Sequence, residues 1–165
     1  MTTGSSAAAA AAASTGATIS AVDQPATPPA SGTNLQPTLD PALLAVARYP
    51  AGWRPTGPLP GWTALVTDAK DVTLVAHDEA FADLDQPEAI ERGWRRITFA
   101  GPLPWDIVGF LADVAGRLAG ARIPFTSISG FSTDHVLVRA AQADVAVAVL
   151  RGEQPPDLRP DVTNP

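Results

Sequence analysis

Ser127-Ile-Ser-Gly-Phe-Ser-Thr-Asp134-His-Val-Leu-Val138 is the stretch on which the reading of this chain turns. Residues 125–129 and 135–138 have strand character. Between them lies Gly130-Phe-Ser-Thr-Asp134, built from residues that accept turn geometry or hydrogen-bond their own backbone. Outward on the N-terminal side, Trp94-Arg-Arg-Ile-Thr-Phe-Ala100 reads as a strand and residues 105–120 as a helix. In that helix Ile107, Val108, Phe110, Leu111, Val114, Ala115 and Leu118 form one apolar stripe for packing on a sheet. Pro104 and Asp106 suit its first turn, and Pro124 prevents continuation. On the C-terminal side, residues 140–151 carry both signals. Val145, Val147 and Val149 alternate as in a strand, whereas the opening Ala-Ala-Gln-Ala-Asp and Gly152 as a cap suit a helix.

The order strand, helix, strand, strand, helix resembles the ACT domain, a small-molecule-binding regulatory module, and within it the CASTOR-type subgroup. Three pieces carry the resemblance: Glu91-Arg-Gly-Trp94, Gly101-Pro-Leu-Pro104 with Gly109, and the run from Ser129 to Val138. Relatives typically read S-T-Y-D-T-D-Y-V-L-V over that last run, agreeing with this chain at Ser129, Thr133, Asp134, Val136, Leu137 and Val138. The resemblance implies an α+β, ferredoxin-like ACT fold with a βαββα core over residues 93–151. It also selects the helix for residues 140–151. The family's last strand has no counterpart in this half, which implies a homodimer that completes its sheet across an interface, or a strand supplied by the first half.

Residues 39–90 read as a smaller β unit. Residues 43–49 have strand content and stop at Pro50 and Gly52, and 51–61 is a Pro- and Gly-rich loop. Residues 62–67 and 72–76 alternate with period two around the polar link Asp68-Ala-Lys-Asp71, which predicts a β-hairpin. Gly57-Pro-Leu-Pro60 echoes Gly101-Pro-Leu-Pro104, each before a tryptophan. The resemblance supports a degenerate ACT-like unit at 39–90 beside an ACT-like domain at 91–152. Residues 1–37, rich in Ala, Ser, Thr and Pro, read as a disordered leader, and 153–165 as a Pro-rich tail.

Composition excludes several function classes. A net charge of −6 argues against nucleic acid and against a polybasic membrane attachment. No run approaches a membrane span, and the leader lacks the basic residues of a secretory signal, so the protein reads as cytoplasmic. The absence of cysteine removes disulfides and thiolate metal sites, and His77 and His135 stand isolated. Six acids between Asp78 and Glu91 read as a solvated connection, without the spacing of a calcium loop. No nucleophile elbow, phosphate loop or metal motif is present, so neither an enzyme nor a cofactor is expected.

The binding chemistry available is therefore that of a small-molecule pocket. Gly109, inside the expected helix, admits either a close ligand approach or tight helix–sheet packing. Asp134 either meets a ligand ammonium or closes its own turn. The resemblance places an amino-acid ligand between Asp106, Ile107, Val108 and Gly109 on one side and Ser129, Gly130, Phe131 and Asp134 on the other. A module that assembles without any ligand is the alternative.

Overall fold

The computed structural model describes residues 35–99 and 101–153. Its elements are β1 (Pro37–Leu39), β2 (Leu44–Pro50), β3 (Ala64–Thr67), β4 (Asp71–His77), β5 (Ala89–Phe99), α1 (Phe110–Gly120), β6 (Phe125–Ser129), β7 (Asp134–Arg139) and α2 (Ala143–Leu150). Short 3-10 turns occupy Asp78–Ala82 and Ala140–Gln142. All seven strands form one antiparallel sheet in the order β3-β4-β2-β5-β7-β6, with β1 also paired to β5. This is the expected α+β class.

The expected hairpin is β3–β4. Its link is held by the Asp68 carboxylate, which accepts from the Lys70 and Asp71 N–H groups at 2.6 and 3.0 Å. The ambiguous segment at 140–151 resolves into the 3-10 turn and α2, whose Ala143, Ala146, Val147 and Leu150 are buried together. Helical spacing places those four on one face, and that packing outweighs the local valine alternation.

β5 is longer than the sequence suggests. Its first half, Ala89 to Trp94, pairs with β2, and its second half, Trp94 to Thr98, pairs with β7. The register against β2 advances by one extra residue on β5 between Glu91 and Trp94, a β-bulge. β1 pairs with Ile97 to Phe99 on the edge that β7 leaves open. β1 and β2 thus divide one edge of β5 between them. The edge of β5 over Ile97 to Phe99 is thus covered by β1 of the same chain. Both halves follow one plan of strand, connector, hairpin and helical segment. In the first half the connector is an irregular loop where the second half has α1.

Two expected boundaries move. The division between residues 90 and 91 falls inside β5. The expected leader at 1–37 reaches too far, because Leu35 is 4% exposed and packs in the core beneath α1 and α2. Residues 1–34 and 154–165 lie outside the described residues, and with them the rest of the expected leader and nearly all of the tail.

That core contains Ile97, Phe99, Phe110, Val114, Leu118, Val136 and Val138. A second cluster, Tyr49, Val72, Leu74 and Phe81 with Trp53 and Leu59 against it, covers the first half. Leu137 alternates with Val136 and Val138 and so faces the other way, into a third cluster with Leu44, Val75 and Trp62.

The acid-rich segment is solvated, with Glu79, Asp83, Asp85, Glu88 and Glu91 all exposed, and several of its acids are paired at the surface. Asp78 pairs with Arg92, Glu88 with Arg48 at 3.3 Å and Glu91 with Arg139 at 3.0 Å, while Asp85 accepts from the Trp53 indole at 2.9 Å. Its last residues belong to β5.

Asp40 fastens the crossing from β1 to β2. Its N–H donates to the Arg96 carbonyl at 2.9 Å, its carbonyl accepts from Arg95 Nε at 2.8 Å, and its carboxylate pairs with the Arg96 guanidinium. Burial alone would raise this carboxyl's pKa, but the Ala42 N–H and Arg96 outweigh it and hold it below the usual carboxylate range.

Two outcomes follow. Leu35→Ala lowers unfolding stability by about 2–4 kcal/mol, as large-to-small changes in a core do; denaturant titration measures it, and no loss would return Leu35 to the leader. Asp40→Asn destabilises at pH 7 by about 1.5–3 kcal/mol, the range for hydrogen bonds to charged groups. Because the folded pKa is depressed, the Asp40 contribution is complete above the unfolded value near ~3.9 and is lost as pH falls through the folded value. The gap between wild type and variant should therefore close on acidification. A gap that stays constant down to acid pH would remove the ion pair from the account.

Candidate functional site

A cleft of about 370 Å³ lies between the start of α1 and the β6–β7 turn. It is built from the end of β5 outward. Thr98 pairs with His135 across β5 and β7, which brings the segments leaving those strands side by side. The Thr133 hydroxyl donates to the Phe99 carbonyl at 2.6 Å, and the Leu103 N–H donates to the Ser132 carbonyl at 3.0 Å. Gly130 closes the turn by donating to the Thr133 carbonyl at 3.0 Å. Where the two segments touch, a Cβ on Gly101 would sit 2.7 Å from the Ser132 carbonyl oxygen. Only glycine fits that approach.

The helix begins five residues later than the apolar stripe suggests, at Phe110 rather than Trp105. Gly109 is its N-cap, with φ +84°, a left-handed conformation that a continuous helix cannot contain. The Gly109 carbonyl accepts the first intrahelical bond, from Asp113, at 2.9 Å. Gly109 is therefore a cap rather than a helix-interior glycine, and the turn geometry there favours it. The N–H groups of the helix's first turn belong to Phe110, Leu111 and Ala112, not to residues 106–109.

The cleft brings together six of the eight expected residues: Ile107, Gly109, Ser129, Gly130, Phe131 and Asp134. Asp106 and Val108 do not line it, and both are exposed in the loop before α1. The sequence reading missed Leu103, Pro104, Trp105, Phe110, Leu111, Ala112, Ser132 and Thr133, which complete the walls. Trp105 was available as a signal: it follows Gly101-Pro-Leu-Pro104 directly, where a large ring on a constrained loop is free to face a neighbour.

Trp105 and Phe131 meet edge to face at the cleft, with ring centroids 5.2 Å apart and exposures of 77% and 82%. With Ile107, Val108 and Leu111 they concentrate exposed large apolar side chains in one region. Such a patch marks a contact surface or binding groove.

His135 lies behind the turn, on the opposite face of the sheet from Asp134. It is buried, its Nδ1 is 3.0 Å from the Thr98 hydroxyl, and the Trp62 ring stands edge-on at 5.1 Å. Burial, then the Arg96 charge, push its pKa below the usual histidine value against the pull of Asp134. It is a structural side chain of the sheet. Among the described residues no group of three or more His, Cys, Asp or Glu is placed to hold a metal, and no helix is long and apolar enough to cross a membrane.

Residues 89–152 match the ACT domain family model, which opens on the first residue of β5. Among curated proteins no sequence matches the chain. A protein of Agrobacterium tumefaciens superposes with a TM-score of 0.57 at 22% identity, over 67% of this chain and 82% of that one. The aspartokinase alpha and beta subunits superpose with a TM-score of 0.53 at 12% identity, over 71% and 95%. The ligand-free regulatory subunit of aspartate kinase from Thermus thermophilus gives 0.52 at 10% identity, over 70% and 95%. At these identities the likeness is one of fold.

Proposed function

We propose that this ACT-domain protein is a non-catalytic regulatory module that binds an amino acid in the cleft between the α1 N-terminus and residues 129–134. The observation that carries this reading is the joining of two complementary kinds of group on one cleft. One wall holds the first-turn N–H groups of α1, which favour a carboxylate. The other holds the Asp134 carboxylate and the hydroxyls of Ser129, Ser132 and Thr133, which suit an ammonium. An amino acid carries both charges at neutral pH. The volume lies at the small end of the roughly 300–1,000 Å³ typical of ligand pockets.

Kinship with the CASTOR-type subgroup is part of the same proposal, resting on Glu91-Arg-Gly-Trp94 and on the run from Ser129 to Val138. So are a cytoplasmic setting and a homodimer. The dimer now rests on the exposed Trp105, Val108 and Phe131 rather than on an unfilled sheet position. The same patch favours a second reading, a ligand-free assembly module.

A thermal-shift series with the twenty standard amino acids separates the two. A bound ligand at a hundredfold excess over its Kd adds about 2.7 kcal/mol of stability. A pure assembly module shows no ligand response, and its midpoint follows protein concentration instead. Asp134→Asn keeps side-chain volume while removing the charge. It should weaken the binding amino acid about tenfold or more, since hydrogen bonds to charged groups contribute roughly 1.5–3 kcal/mol, and leave the ligand-free midpoint unchanged. Unaltered affinity would return Asp134 to a turn-closing role.

A further inference from the structure

We propose that the cleft selects amino acids with an uncharged, apolar side chain, aliphatic or aromatic, and rejects arginine, lysine, aspartate and glutamate. This deepens the reading above and rests on it. The argument is one of charge inventory. Of the described residues lining the cleft, Asp134 alone is ionisable, and no lysine or arginine is among them. A bound amino acid places its ammonium against that one carboxylate. A second cation on the ligand side chain would then lose water without gaining a counter-charge. A carboxylate there would meet Asp134 with no base to offset it. Desolvating an unpaired charge is far more costly than leaving it in water.

The basic groups nearby are already engaged elsewhere. Arg96 lies on the opposite face, paired with Asp40 and stacked over Trp62 with its guanidinium carbon 4.7 Å from the ring centroid. Arg117, the basic residue of α1, is bound to Asp113 at 3.0 Å and to the Leu150 carbonyl at 2.8 Å.

What the walls do offer is apolar. Leu103, Ile107, Phe110 and Leu111 come from the loop and helix, and Trp105 and Phe131, in edge-to-face contact with each other, add two rings. A flat or branched side chain laid against these walls buries apolar surface on both partners. Removing that surface from water is the largest gain available to a ligand of this size. The polar groups fix the orientation of the amino-acid backbone and leave the side chain to the rings and aliphatic walls.

Isothermal titration of the full chain with leucine, phenylalanine, arginine, lysine, aspartate and glutamate tests the proposal. Leucine or phenylalanine should bind saturably, at least tenfold tighter than any of the four charged ligands. Equal or tighter binding of a charged one overturns the selectivity while leaving an amino-acid site in place. No binding by any standard amino acid overturns this proposal and the reading beneath it together. Phe131→Ala supplies a second measurement, because that ring is 82% exposed and its loss should not affect folding. Phenylalanine affinity should fall about two- to tenfold, the range expected for an aromatic pair. An unchanged affinity removes the ring wall from the site.

Discussion

The central strand β5 must have both of its edges hydrogen-bonded, and the rest of the fold is arranged to meet that requirement. A buried backbone N–H or C=O without a partner costs free energy comparable to a lost hydrogen bond. β7 satisfies one edge over Trp94 to Thr98, and β2 and β1 share the other over Ala89 to Trp94 and Ile97 to Phe99. The bulge between Glu91 and Trp94 separates the two parts. The gap between β1 and β2 is spanned by Asp40, which binds backbone and side chain of Arg96 and the side chain of Arg95. The two halves of the chain thus share one sheet, and the cluster of Leu44, Val75 and Leu137 joins them on one face.

The same strand positions the cleft. Where β5 ends, the Phe99 carbonyl takes up the Thr133 hydroxyl, and the chain then runs close past Ser132. The loop and the β6–β7 turn are held together before α1 begins. Gly109, with its positive φ, turns the chain into the helix at the edge of the cleft. The exposed rings of Trp105 and Phe131 are a consequence: both stand on short tethered segments at the sheet's end, beyond the reach of the core.

Much of this was legible in the sequence wherever local pattern and tertiary packing agree. The β3–β4 hairpin, the Val114–Leu118 part of the α1 stripe and the β6–β7 pair all follow from periodicity and turn chemistry. Legibility failed where a distant partner decides. β1 has three residues with no strand signal of their own; pairing with β5 makes them a strand, and Leu35 is apolar in a stretch otherwise poor in large side chains. Ala89 to Glu91 looked like connector because their acids are visible in sequence, whereas Arg139, which pairs with Glu91, lies 48 residues away. At the site, the turn residues were found because the turn is local. Asp106 and Val108 were misplaced because periodicity cannot register that Gly109 adopts a positive φ and ends the stripe. The wall contributed by Leu103 depends on a contact between two loops that no single stretch reveals.

The central claim is that one cleft, bounded by the residues around the α1 start and the β6–β7 turn, is where an amino acid binds. Backbone amide chemical shifts recorded during titration with leucine or phenylalanine test it directly. The account predicts saturable shifts concentrated at residues 103–112 and 129–134, with little change in the second cleft, formed by residues 56–60, 79, 80, 83 and 84. Shifts centred on that second cleft, or no saturable shift with any of the twenty standard amino acids, would contradict it.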